Sequence, residues 1–146
     1  MRSPHWVRMT DEEIDDFLGN GGTGVLSFSA GVEESPLSIP VSYGYDAEST
    51  HFYYRLSLLP GSEKADHLDR PASFVVHRRT DGGWRSVVVS GRLESVGESP
   101  YDSTAVQRMW AVRIPEIDVF DRPPEEVTFR SFRLIPDRRT GRKEIE

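Results

Sequence analysis

Two adjacent stretches constrain the fold more than anything else in the chain. Residues 36–46 (PLSIPVSYGYD) and 51–57 (HFYYRLS) each alternate apolar and polar side chains, and a short polar loop joins them. In the first, Ile39, Val41, Tyr43 and Tyr45 share one face, and Pro40, Ser42, Gly44 and Asp46 share the other. In the second, Phe52, Tyr54 and Leu56 oppose His51, Tyr53, Arg55 and Ser57. A period of two marks half-buried strands. Pro40 has no N–H to give a central ladder, so this part of the strand belongs at an edge or bulge, where backbone groups can face a ligand.

The stretch that follows predicts a short helix opened by Gly61 and capped by Ser62, with Leu68 on its apolar face and Pro71 at its end. An anion at that N-terminus would meet backbone amides, the helix dipole, Lys64 and Arg55. The spacing alone allows a second reading, in which Ser62 is a plain cap and Arg55 and Lys64 are solvated surface charges.

Residues 10–18 carry a well-specified helix start. Thr10 and Glu13 match a capping box, Met9 and Ile14 a hydrophobic staple, and Asp11, Glu12 and Glu13 suit the positive end of the dipole. Ile14, Phe17 and Leu18 form the apolar stripe, and Gly19 ends it. Residues 19–24 (GNGGTG) then match G-x-G-x-x-G. That motif holds pyrophosphate only after a strand and before a helix, and here a helix precedes it and a strand over 25–30 follows. A dinucleotide loop is not expected.

Downstream, 72–78 reads as a strand, 80–83 (TDGG) as a turn, and 84–96 (WRSVVVSGRLESV) as a long strand. Val87, Val89 and Leu93 oppose Trp84, Ser86, Ser90 and Arg92, so the second face offers an aromatic ring, hydroxyls and a cation. Gly91 in mid-strand marks a bulge or a close backbone neighbour. A helix is expected over 99–113, stopped by Pro115, then an irregular connection over 117–124 and a last strand over 127–135. A turn around 137–141 and an Arg-rich, charged tail close the chain.

About six closely connected strands, with one helix in front and two inserted, do not repeat β-α-β units. The expectation is a mainly β fold, a closed antiparallel barrel with peripheral helices, in one domain spanning 1–146. Small barrels fill their interior with side chains, so a large ligand would lie outside the barrel or between subunits.

Composition removes several function classes. Acidic residues (24) outnumber basic ones (18), for a net charge of -6, against general nucleic-acid binding. There is no cysteine, hence no disulfide and no thiolate chemistry. His5, His51, His67 and His77 lack ligand spacing, so no metal centre is expected, and neither a Gly-x-Ser-x-Gly elbow nor a Walker loop is present. No apolar run approaches the roughly 20 residues of a membrane span, and MRSPHWVRMT has no signal-peptide core. A soluble, cytoplasmic protein without a membrane partner is expected. Lys64 and Lys143 are the only lysines, a bias compatible with a salt-rich cytoplasm or with a GC-rich genome.

The order of segments resembles the pyridoxamine 5'-phosphate oxidase-like family of FMN-binding split barrels. The residues that carry it are GVLSFS (24–29), PLSIPVSYGYD (36–46), FYYRL (52–56), SEKADHL (62–68), WRSVVVSGRLESV (84–96) and TGRK (140–143). The resemblance implies a homodimer with FMN in a groove between two barrels. It implies that Ile39, Pro40, Val41 and Ser42 border the isoalloxazine ring, that Arg55, Ser62 and Lys64 bind the phosphate, and that Trp84, Arg85 and Ser86 line the ribityl and phosphate side. The substrate-phosphate residues and C-terminal arginine motif of true pyridoxamine phosphate oxidases are not found, so vitamin B6 oxidation is not expected and the reductase-like or uncharacterised branches fit better.

The function so implied is a flavin-dependent oxidoreductase moving hydride between a reduced nicotinamide or similar donor and a small organic acceptor. The alternative is a non-catalytic flavin carrier or redox-sensing module, or a deazaflavin- or haem-binding member of the same barrels. Tyr43, Tyr53 and His77 are acid–base candidates by residue type alone, beside ordinary core or rim roles.

Overall fold

The computed structural model describes residues 5–57, 67–96 and 129–145. They form β1 (His5–Arg8), α1 (Asp11–Leu18), β2 (Gly21–Phe28), β3 (Leu37–Asp46), β4 (His51–Ser57), β5 (Ala72–Thr80), β6 (Gly83–Ser95) and β7 (Phe129–Ile145). The strands run in the order β1-β7-β4-β3-β2-β5-β6, and β7 also pairs with β6. Every pairing is antiparallel, which closes a six-stranded barrel and leaves β1 as an extra strand along β7. The expected mainly β barrel is therefore observed. The start of the helix expected from Ser62, the helix expected over 99–113 and the connection at 117–124 lie outside the described residues, whereas Leu68, expected on the apolar face of the first, is buried.

The alternation read from 36–57 sets the interior. Tyr43, Tyr45, Phe52 and Tyr54 are no more than 1% exposed, together with Leu26, Phe28, Phe74 and Leu134. Phe74 is the hub of the ring contacts, with centroids 5.2 Å from Tyr43, 5.5 Å from Phe52 and 5.1 Å from Tyr54. These side chains fill the barrel, so a flavin-sized ligand has no room inside it.

Helix α1 closes one end. Its capping box is formed in both directions, Glu13 N–H to Thr10 Oγ1 at 3.2 Å and Thr10 N–H to Glu13 Oε1 at 3.0 Å. Gly19 ends it with φ 60°. Ile14, Phe17 and Leu18 are buried against the barrel. Polar ties fix the seat: Tyr43 Oη donates to the Leu18 carbonyl at 3.0 Å, and Arg139 Nη1 donates to Asp15 Oδ1 at 2.8 Å. Tyr45 Oη also donates to Asp15, Lys143 pairs with Glu13, and the Arg78 guanidinium lies 4.0 Å over the Phe17 ring.

Two sequence expectations are corrected. Strand β2 starts at Gly21, not at 25, because Gly22 and Gly24 of GNGGTG are packing residues within a strand. A Cβ on Gly24 would stand 2.6 Å from the Val75 carbonyl oxygen and 2.7 Å from the Phe74 ring. No turn forms at 137–141 either, since β7 runs through to Ile145 as an ordered strand. A bulge permits this: Gly91 pairs with Pro136 and Ser90 with Arg138, so Asp137 is the extra residue. Pro136 needs no ladder N–H there, and only glycine fits at Gly91, where a Cβ would lie 2.5 Å from the Ile135 carbonyl oxygen.

Candidate functional site

The ladders of β3 and β4 separate soon after their hairpin. They pair at Gly44↔Tyr53, Tyr45↔Phe52 and Asp46↔His51, whereas β2 pairs with β3 all along Leu37 to Gly44. Between 37 and 43, the other edge of β3 meets no strand among the described residues. Tyr45 N–H donates to the Asn20 carbonyl at 3.0 Å, which assigns the odd-numbered residues of β3 to the β2 ladder. The N–H and carbonyl of Ser42 and the carbonyl of Pro40 therefore point to the open edge. Pro40 costs no hydrogen bond in this position, as its place at a strand edge requires.

The candidate residues on β3 thus divide. Ile39 and Val41 pack against the core and back the edge from behind. Pro40 and Ser42 turn their side chains to the outer surface and supply the polar edge groups. Arg55, on the outward side of β4, is exposed. No ion pair or hydrogen bond holds its guanidinium among the described residues. Ser62 and Lys64 lie outside those residues.

On β6, Trp84 and Ser86 are outward, as the alternation predicts. Arg85 points the other way, with Nη1 on the carbonyls of Gly82 at 3.2 Å, Trp84 at 3.0 Å and Glu144 at 3.3 Å. It braces the hairpin end and is not on the surface shared by Trp84 and Ser86. His77 stacks on Trp84, centroids 4.8 Å apart and planes at 14°. This partner was legible in principle: the TDGG turn fixes Thr80↔Gly83, and counting back brings His77 beside Ser86 and one diagonal from Trp84.

Within one chain, Pro40 and Ser42 are three strands away from Ser86 and Trp84 in the order β3-β2-β5-β6. At the usual strand spacing this is about 14 Å. An apolar row joins the two groups, with Pro40 opposite Val25, Val25 opposite Val75 and Val75 opposite Val88. Val25 is 40% exposed, Val88 42% and Trp84 38%. Sequence reasoning missed this row because it is spread one residue per strand over four strands.

The acid–base candidates separate by environment. Burial pushes the Tyr43 hydroxyl above its ordinary range, and its proton is committed to the Leu18 carbonyl, so Tyr43 is a structural residue. Tyr53 is fully buried. His77 is the exposed member, resting on Trp84.

A sequence model for the family described as pyridoxamine 5'-phosphate oxidase matches residues 10–143. Comparison with curated protein sequences gives no match. Among solved structures, an FAD-binding protein from Mesorhizobium loti is similar with TM-score 0.69 and 19% identity, over 99% of this chain and 100% of that one. An FAD-binding protein from Mycobacterium smegmatis gives TM-score 0.68 and 14% identity, over 96% of this chain and 100% of its own. An FAD- and haem-binding protein from the same organism gives 0.56 and 17%, over 94% of this chain and 72% of its own. At such identities these likenesses concern the fold. The family match spans the barrel from the cap of α1 to Lys143 near the end of β7, and the chain belongs to the pyridoxamine 5'-phosphate oxidase family.

Proposed function

We propose that this protein is a homodimeric flavoprotein, an oxidoreductase that holds FMN against the outer face of β3-β2-β5-β6, between two protomers. The observation that carries the reading is the outward-facing row Pro40–Val25–Val75–Val88, with a half-site at each end. A two-fold pairing of this face would bring the Pro40 and Ser42 edge of one protomer to the partner's Trp84. The flavin-binding solved structures of the same fold support it.

The residues present fit a flavin. The open β3 edge offers the Ser42 N–H and two carbonyls to the polar rim of the ring, while Pro40 and the valine row offer an apolar wall. Arg55 is an exposed cation, uncommitted among the described residues and suited to the phosphate, with Ser62 and Lys64 as its partners in that role. Trp84, backed by His77, is an aromatic plate that excludes water from one side. Ser86 lies beside it as a hydroxyl for the ribityl chain. The bound flavin supplies hydride transfer between a reduced nicotinamide and a small organic acceptor.

The double substitution Arg55→Ala, Lys64→Ala should weaken flavin binding at least about tenfold, the worth of charge-assisted hydrogen bonds, with an unchanged melting temperature. Unchanged affinity would remove the phosphate assignment. Steady-state oxidation of NADH or NADPH by the flavin-loaded protein separates an enzyme from a carrier or sensor, since only the enzyme turns over.

A further inference from the structure

The face of β6 that carries Trp84 continues to Ser90 and Arg92, which the flavin site does not use. There the ends of β2, β5 and β6 enclose an open cleft of about 500 Å³. The size suits a small ligand. Ser73 of β5 and Ser90 of β6 are register partners in its lining. Arg92 and Asp137 also line it, as do Pro36 and Pro71. None of these residues belongs to the flavin set.

Two features distinguish the cleft from ordinary solvated surface. First, the bulge that interrupts the β6–β7 ladder makes Asp137 its unpaired residue, and Asp137 lines the cleft. Bulges re-aim side chains in this way beside binding sites. Second, Arg92 is positioned by a backbone carbonyl, Nη1 to Asp69 at 2.9 Å, and no other described residue bonds the rest of its fork. Neither Arg92 nor Asp137 forms an ion pair with a described residue, although both border the same cavity.

We infer that the cleft binds a nucleoside phosphate. Arg92 presents the planar fork that matches phosphate oxygens. Asp137 is an acceptor for a ribose diol, as carboxylates are in dinucleotide sites. The Ser73 and Ser90 hydroxyls bond the sugar or the phosphate, and the Pro36 and Pro71 rings wall the base. Two sources share this chemistry: the adenylate half of FAD and that of a nicotinamide dinucleotide donor. The valine row lies two residues along the strands from Ser73 and Ser90, so the cleft adjoins the proposed flavin face.

The test is calorimetric titration of the purified protein with ADP, which needs no flavin and so is separate from the flavin reading. ADP should bind, adenosine should bind far more weakly, and Arg92→Ala should weaken ADP at least about tenfold with an unchanged melting temperature. Asp137→Asn is a second variant that keeps side-chain size and should also weaken ADP. If Arg92→Ala weakens FAD and leaves FMN unchanged, the nucleotide is that of FAD; if it raises the KM for NADPH instead, it is that of the donor. Absence of ADP binding up to millimolar concentration, or equal affinity in wild type and both variants, would overturn the inference.

Discussion

Two tyrosines one strand apart show how much a single hydroxyl decides. Tyr43 Oη reaches the Leu18 carbonyl, whereas Tyr54 Oη is buried with no hydrogen-bond partner among the described residues. Burial drives both hydroxyls to raised pKa values, Tyr54 more strongly, with the neighbouring Tyr43 as a lesser cause. Tyr43→Phe should therefore cost about 1 kcal/mol, while Tyr54→Phe should be neutral or stabilise by about 1 kcal/mol, because it removes an unsatisfied polar group. Urea unfolding of the two variants checks the contrast. Gly24→Ala should destabilise by about 1–3 kcal/mol, since the new methyl meets the Val75 carbonyl and not a flexible side chain. The alternating pattern told which tyrosines face inward. It could not tell which hydroxyl would find a partner, because the Leu18 carbonyl that accepts from Tyr43 comes from α1, elsewhere in the chain.

Among the elements, α1 was legible in full, since its cap, staple, stripe and stop are all local signals. Its seat was not: Asp15, Glu13, Arg139 and Lys143 meet across more than a hundred residues of sequence. The hydrogen bond from Lys143, with that from the Thr10 N–H, holds the Glu13 carboxyl below its ordinary value of 4.5. A lowered folded pKa gives stabilisation that is present above the ordinary value and is lost as pH falls through the folded one. Lys143→Met should thus be less stable than wild type near neutral pH, and the gap should close on acidification below the ordinary carboxylate range. Urea melts across that range measure it; a gap independent of pH would rule out Glu13 as the partner that matters. Strand β7 was the least legible element. Pro136 and Asp137 look like a turn, and only the bulge opposite Gly91 reveals them as part of one long strand. The period-2 strands β3, β4 and β6 were read nearly to the residue, and the Pro40 edge with them.

For the molecule as a whole, closure of the barrel uses up its interior, so function must sit on its outer faces. The candidate site was half legible in the sequence. Pro40, Ser42, Trp84 and Ser86 stand on the outer surface, while Arg85 serves the hairpin and the valine row emerges only from register. If that row joins two protomers, Val88→Glu should convert the dimer to a monomer, as a buried charge there costs several kcal/mol. Sedimentation shows the change, and flavin affinity should fall with it. The most direct measurement is the absorbance spectrum of the freshly purified protein, with mass spectrometry of what acid releases. A flavin spectrum and released FMN, close to one per protomer, is the predicted result. A colourless protein that also fails to bind added FMN or FAD would contradict the account.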